Sequence, residues 1–307
     1  MSIPFDLLVA GEINPDLILS GDVEPAFGQV EKLVDMARLT IGSSSAIFAC
    51  GAARLGLKVT FIGMCGNDVF GRFMLDAMQR RGVDTSHVII APDGLTGLSV
   101  ILNRGVDRAI LTHAGLMSAL KAEDITDELL HKARHLHVAS YFLQEALQPG
   151  LIPLFERAHS HGLTTSLDTN YDPSGQWRGF DDLLTVTNVF LPNEVEACSL
   201  AGCDRAAGAA DRLAQKVETL AIKMGAEGAL GVSNAKMVQV PSLPVQVVDT
   251  VGAGDSFDAG FIYGYLQGWP MQKSLQLAAA CGALSTLQVG GTDGQPTLDE
   301  ALAVMKS

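Results

Sequence analysis

Gly252 and Gly254, with Ala253 between them and Asp255 directly after, form the stretch of this chain best suited to chemistry. Two glycines free the backbone for a turn whose successive N–H groups converge on one point. A helix beginning there adds unpaired donors and a positive dipole end, so the turn is an anion site, and phosphate is the usual anion. Asp255 is out of place in a pure binding loop, because a carboxylate repels phosphate. It fits if it takes the proton of a hydroxyl that attacks phosphorus. The alternative is an ordinary tight turn with Asp255 as helix N-cap. No Gly-Lys-Ser/Thr follows, so this is not a Walker loop. Phe257 stands where a dinucleotide fingerprint needs its third glycine.

Other polar residues sit at the ends of short apolar runs. Asn14 and Asp16 follow Phe5 to Ala10. An amide and a carboxylate side by side suit neighbouring hydroxyls of a polyol, or else an Asx turn around Pro15. Gly42 and Ser43 open a helical pattern, where small residues let a ligand approach the backbone. Glu196 by itself reads as a solvated helix position. Lys223, Gly225 and Gly228 end a strand in what reads by itself as a hairpin turn.

The run from Asp249 to Phe261 resembles the C-terminal signature of the ribokinase-like (PfkB) carbohydrate kinases. Asp-Thr stands at 249–250, Gly-Ala-Gly-Asp at 252–255 and Phe-x-Ala-Gly-Phe at 257–261, and the likeness runs along nearly the whole chain. The resemblance implies an ATP-dependent kinase that phosphorylates a hydroxyl of a small sugar or related polyol. Asp255 would be its base, with the N–H groups of Ala253, Gly254 and Asp255 cradling the transferring phosphoryl and Gly252 opening the catalytic turn. Gly11-x-x-Asn14-x-Asp16 matches the family's sugar grip. Gly42 matches the first residue of a Gly-Gly pair, Ser43 replaces the second, and Ile47 replaces an Asn that contacts the sugar. Thr96, in Leu95-Thr96-Gly97, would lie near the sugar. The segment from Gly63 to Gly71 matches an architectural motif. Asp168 would lie near the phosphates, and Asp172 stands where several sugar-acid kinases have an arginine close by. Asn193-x-x-Glu196 would organise the waters of Mg²⁺, which keeps waters and takes few protein ligands. Lys223, Gly225, Gly228 and Gly254 would approach the nucleotide, and adenine would lie between C-terminal segments such as Gly290 to Gly294. Asp249 with nearby carbonyls would hold a monovalent cation, K⁺. A homodimer through the lid is a further expectation.

The segments assigned to the sugar hold no basic residue and one carboxylate, Asp16. A phosphorylated sugar or a sugar acid generally requires arginine or lysine. The expected acceptor is therefore a neutral sugar or nucleoside, with Ile47 an apolar wall beside it. Arg38, Arg104 and Arg108 in lid-like segments keep a 2-keto-3-deoxy sugar acid as the alternative. A nucleoside kinase and a non-catalytic sugar or nucleotide sensor on the same fold are the other readings.

Positioning these residues requires strands that end where they begin. Apolar runs at Phe5–Ala10, Lys58–Gly63, Leu136–Ala139, Thr164–Leu167, Val189–Leu191 and Leu220–Lys223 alternate with helical patterns, the mark of a parallel sheet covered on both faces. The extended run Pro244 to Val248 reads as a strand entering the glycine turn. Val88–Ile90, Gly97–Leu102 and Ala109–Thr112 read as antiparallel hairpins. Together with the resemblance this gives a three-layer α/β/α fold with a mostly parallel sheet, one domain over 1–307, and a small β lid from segments 13–41 and 95–112.

Composition narrows the function further. A net charge of −13 without a basic run argues against nucleic acid. No apolar run reaches a membrane span, and Met1 to Phe5 is too short for a signal peptide. Five cysteines without CxxC spacing point to reduced thiols and a cytoplasmic protein. His135 and His137 share a strand face, as a packed pair or as two ligands of a metal.

Overall fold

The computed structural model describes residues 3–104, 107–172 and 174–305. Its centre is a nine-stranded sheet, in spatial order Lys236–Val240, Ala229–Ser233, Thr219–Lys223, Val189–Phe190, Thr164–Leu167, His135–Val138, Leu7–Ala10, Val59–Ile62 and Val83–Asp84. The first two strands are antiparallel additions; from Thr219–Lys223 onward the pairing is parallel. Successive residues of one strand face opposite layers. Leu7 and Val9 pack with Phe48, Phe61 and Phe261, whereas Leu8 and Ala10 pack with Leu136, Leu154 and Phe155. Both faces are covered, and this is why the central strands read as unbroken apolar runs rather than alternating ones.

Two long helices close one face, Ala253–Leu266 and Met271–Ser285. They approach closely because Gly260 lacks a side chain: a Cβ there would lie 2.9 Å from Ala278 Cα and 3.0 Å from Cys281 Sγ. The lid is a separate four-stranded sheet, ordered Met36–Ile41, Pro15–Ser20, Leu98–Arg104 and Asp107–His113. These strands fall within the expected lid segments to within one residue; the link at 105–106 lies outside the described residues.

Two expectations change. Pro244 to Val248 forms no strand and is tied down only where Val248 N and Asp249 N donate to Thr286 O, at 2.8 and 3.1 Å. The sequence following it supplies a helix rather than a strand partner, so valine content alone does not make a ladder. Val88 to Ile90 joins no hairpin; Ile89–Ala91 pairs in parallel with Met64–Gly66. The glycines at 225 and 228 turn an antiparallel hairpin between Thr219–Lys223 and Ala229–Ser233, with Gly228 at φ 93°.

Candidate active site

A cavity of about 980 Å³ opens where the lid sheet meets the C-terminal ends of the parallel strands, the position at which open α/β sheets bind ligands. It is lined by Asn14 and Asp16 from the lid, Asn193, Glu196 and Lys223 from strand ends, and Gly252, Gly254 and Asp255 from the glycine turn.

The turn is built as its residue types dictate. Gly252 has φ +72° and is the N-cap of the Ala253–Leu266 helix. A Cβ on it would lie 2.6 Å from Gly291 Cα, so only glycine fits. Asp255 sits in the first turn of that helix and does not cap it. The N–H groups of Gly254 and Asp255 have no hydrogen-bond partner among the described residues, as expected of a helix start. The N–H of Ala253 does have one, Thr250 O at 3.3 Å, so two of the three donors expected of the turn are free.

Asp255 is half-buried. Burial, followed by the nearby charge of Asp168, pushes its carboxyl up to about 8, against the pull of Lys223 and a hydrogen bond from Ser44. A carboxyl raised in this way can accept a proton near neutral pH. Asp168 and Asp258 accept from Lys223 Nζ at 3.1 and 2.9 Å. Burial pulls the Lys223 ammonium down, but Asp168, Asp258 and Glu196 outweigh it and keep it charged. Lys223 thus faces the cavity paired with Asp168, which lines it as well, and with the buried Asp258.

Three non-glycine residues around the cavity hold positive φ: Ser43 at 66°, Ser140 at 53° and Asn170 at 55°. Such conformations cost on the order of 1–3 kcal/mol each and cluster at working sites. Their side chains form one network. Asn170 Nδ2 donates to Ser44 Oγ at 3.0 Å and Ser140 Oγ at 3.3 Å, and Ser140 Oγ donates to Glu12 Oε1 at 3.0 Å. Glu12, 2% exposed, also receives Ser45 Oγ at 2.6 Å and Gln144 Nε2 at 2.9 Å. Sequence inspection had no reason to single out Glu12, Ser44 or Ser140; the one signal was a carboxylate ending an apolar run. Ser43, standing where the family has glycine, donates to Glu12 O at 2.7 Å and accepts from Ala46 N at 3.0 Å, so its hydroxyl caps the helix that begins at Ser44.

On the lid side, Asn14 Nδ2 donates to Asp16 Oδ1 at 3.3 Å and Ser99 Oγ at 3.4 Å. A Cβ at Gly42 would lie 2.2 Å from Asp16 Oδ1 and 2.9 Å from Asn14 Nδ2, so this glycine makes room for the pair. Burial pushes the Asp16 carboxyl up to about 7; Arg108 lowers it and Asp249 raises it. Of the three candidate arginines, Arg108 alone lines the cavity. Arg104 pairs with Glu24 and Arg38 with Asp293. Ile47 forms part of the wall, as expected.

Other expected site residues lie elsewhere. Thr96 is buried behind the cavity, where its Oγ1 accepts from Gly66 N at 2.9 Å and its N donates to Asp68 Oδ2 at 2.8 Å. It braces the Gly63–Gly71 segment and does not line the cavity. Gly228 serves its hairpin, since a Cβ would strike Val240 O at 2.0 Å. Asp172 accepts from Ser174 N at 2.8 Å and Trp177 N at 2.7 Å, closing its own loop. His135 and His137 share Ser166 Oγ, each at 2.7 Å, and burial pushes His135 down to about 3. They are a packed neutral pair.

The residues fit Mg²⁺ held through waters and phosphates rather than through a protein cage. Among the described residues no three His, Cys, Asp or Glu side chains group as metal ligands. Glu196 is 5% exposed and its oxygens are engaged: Oε1 accepts from Asn193 Nδ2 at 2.6 Å, and Oε2 accepts from Asn193 N at 2.9 Å and Thr169 Oγ1 at 3.1 Å. It is both half of a capping box and a cavity wall. Asp249 is likewise engaged, with Val251 N at 3.1 Å and Gly290 N at 2.9 Å.

A model of the pfkB family carbohydrate kinases matches residues 6–298. The 5-dehydro-2-deoxygluconokinase of Geobacillus thermodenitrificans is 30% identical, covering 97% of this chain and 92% of that protein. The 2-dehydro-3-deoxygluconokinase of Bacillus subtilis is 29% identical, covering 92% and 91%. The fold matches that of a protein from E. coli described as ribokinase II and solved with ATP and Mg²⁺, at a TM-score of 0.87 and 24% identity over 98% of this chain and 99% of that one.

Proposed function

This chain belongs to the pfkB family of carbohydrate kinases and is an ATP-dependent carbohydrate kinase, and we propose that Asp255 is the base that accepts the proton of the attacking sugar hydroxyl. The observation that carries this is the placement of Asp255, with a raised carboxyl, directly beside two unpartnered N–H groups at a helix start. A phosphoryl held by those donors and a hydroxyl held by Asn14 and Asp16 meet at Asp255. The lid carries Asn14 and Asp16 toward the glycine turn and excludes water, which otherwise competes as acceptor. Mg²⁺, when bound to the ATP phosphates, supplies charge neutralisation there. Asn193 and Glu196 order its waters, Lys223 and Gly225 border the nucleotide, and Asp249 holds a K⁺ ion through its remaining lone pairs. The whole of 1–307 acts as one kinase domain with a lid.

The acceptor is a small sugar whose adjacent hydroxyls are gripped by Asn14 and Asp16. A second reading, a keto-deoxy sugar acid, is favoured by Arg108, which lines the cavity beside Asp16 and offers a fork for a carboxylate; two relatives are named for such acids. ADP release on ribose, fructose, a nucleoside, 2-dehydro-3-deoxygluconate and 5-dehydro-2-deoxygluconate, repeated with Arg108→Ala, decides between them. A neutral sugar leaves kcat/KM largely unchanged in the variant. A sugar acid loses about tenfold or more, the worth of a charge-assisted pair. ADP release with none of them overturns the sugar-kinase reading of this cavity.

A further inference from the structure

A second cavity, of about 330 Å³, lies outside the catalytic one, between the Met36–Ile41 strand, the Val69–Arg80 helix and the turn at Thr292–Asp293. Arg38, Arg80 and Arg81 line it together with one carboxylate, Asp293. Two arginines at the C-terminal end of a helix are ordinary, because the dipole favours them there. A third arginine from another sheet converging on the same space is not. Asp293 bridges two of them: Arg38 Nη2 donates to its Oδ2, and Arg81 Nη2 to its Oδ1 at 2.5 Å. The same guanidiniums reach backbone carbonyls, Arg38 to Val289 O at 3.4 Å and Arg81 to Thr292 O at 3.3 Å. Arg80 has no such partner among the described residues.

We propose that this cavity is a second ligand site that takes a phosphate dianion, free or as a small monoester, on Arg38, Arg80 and Arg81. Three guanidiniums against one carboxylate leave two positive charges uncompensated inside a concave surface, in a chain whose net charge is −13. Concave walls focus that field, and planar guanidinium forks match phosphate oxygens in pairs. Two charges match a dianion, and the volume admits a phosphate with a few carbons attached. Arg80 provides the free fork, and Arg38 and Arg81 turn from Asp293 toward the ligand. The clamp they release holds the 289–293 turn, whose Gly291 packs against Gly252 of the catalytic turn and whose Gly290 N donates to Asp249.

The test is calorimetric titration of the intact protein with inorganic phosphate and with glycerol 3-phosphate, under saturating non-hydrolysable ATP analogue and Mg²⁺ to occupy the catalytic turn. Saturable binding of either probe is expected, a preference for the ester marking an organic phosphate as the natural ligand and a preference for the free ion marking phosphate itself. Arg80→Ala should weaken it about tenfold or more while leaving the kinase kcat without phosphate unchanged. Asp293→Asn should tighten it, since both bridged forks are freed. No saturable binding by the unaltered protein, or equal binding by Arg80→Ala, overturns the proposal; the latter also catches phosphate bound at the catalytic turn.

Discussion

In the role of base proposed for it, Asp255 must be ionised, the state that its burial disfavours. Its carboxyl ordinarily titrates at 3.8 and is pushed up to about 8 in the folded chain. Between those values the folded state binds a proton that the unfolded state does not, so stability falls as pH rises through that window. Asp255→Asn should lower kcat by about 10²–10⁴-fold, the usual contribution of a positioned base, while altering sugar affinity little. The same variant should melt higher than the unaltered protein above pH 8 and no higher below pH 4, as thermal melts across pH would show. Near-normal turnover in the variant would remove Asp255 from the role of base. Since the ionised form accepts the proton, kcat/KM should rise with pH through an apparent value near 8, and the acid limb should vanish in Asp255→Asn.

At the scale of elements, the strand end at Lys223 and the helix start at Gly252 fix the two sides of the anion site. Lys223 is 12% exposed and held between Asp168 and Asp258, so Lys223→Met leaves two carboxylates facing each other without a cation. Breaking a buried pair this way costs about 3–5 kcal/mol. Denaturant titration should show that loss at neutral pH, and part of it should return in acid as the carboxylates protonate. The glycines of the turn should separate clearly. Gly252→Ala meets Gly291 at 2.6 Å and a positive φ, so soluble yield and melting temperature should fall. A Cβ at Gly254 meets nothing nearer than Lys223 at 3.7 Å, so Gly254→Ala should fold normally and instead raise KM for ATP. Equal stability of the two variants would mean that Gly252 is not under the constraint described.

At the scale of the molecule, the lid sheet is the element with an uncovered face. Asp107–His113 is exposed along its length; Ile110 faces the cavity, whereas Leu111, 61% exposed, points to the opposite face, and Phe27 and Leu33, in the segment between the first two lid strands, are 93% and 86% exposed. Large apolar side chains of this kind on an edge strand invite pairing with another copy. A homodimer through the lid is the expected arrangement; light scattering should report twice the chain mass, and Leu111→Lys should return it to the monomer. A monomer for the unaltered protein would leave the lid to close alone. Asp249 links the glycine turn to the Gly290 loop, so a cation bound there would hold the two together. Activity should be higher in K⁺ than in Na⁺, hard oxygen ligands selecting by cavity size, and identical rates in the two salts would dismiss it.

Much of the chemistry was present in local sequence. The turn from Gly252 to Asp255 is contiguous, and its donors, its carboxylate and the positive φ of Gly252 are properties of adjacent residues. The layered fold was legible for a similar reason: strands covered on both faces must be apolar at successive positions, and Leu7–Ala10 and Val59–Ile62 are buried throughout. Which polar residues meet across the fold was not legible, because partners such as Glu12 with Ser140 and Gln144, or Lys223 with Asp168 and Asp258, stand far apart in the chain and are joined only by strand order. The same holds for the residues that were misplaced. Thr96 has the right type and a neighbouring address, but Asp68 and Gly66 claim its polar atoms and turn it away from the cavity. Among Arg38, Arg104 and Arg108, equal candidates by sequence, strand order places Arg38 and Arg108 on the same face but at opposite edges of the lid sheet, so Arg38 meets Asp293 and Arg108 lines the cavity, whereas register turns Arg104 to the other face. A strand alternates its faces every residue, so one step of register decides which side chain meets the ligand.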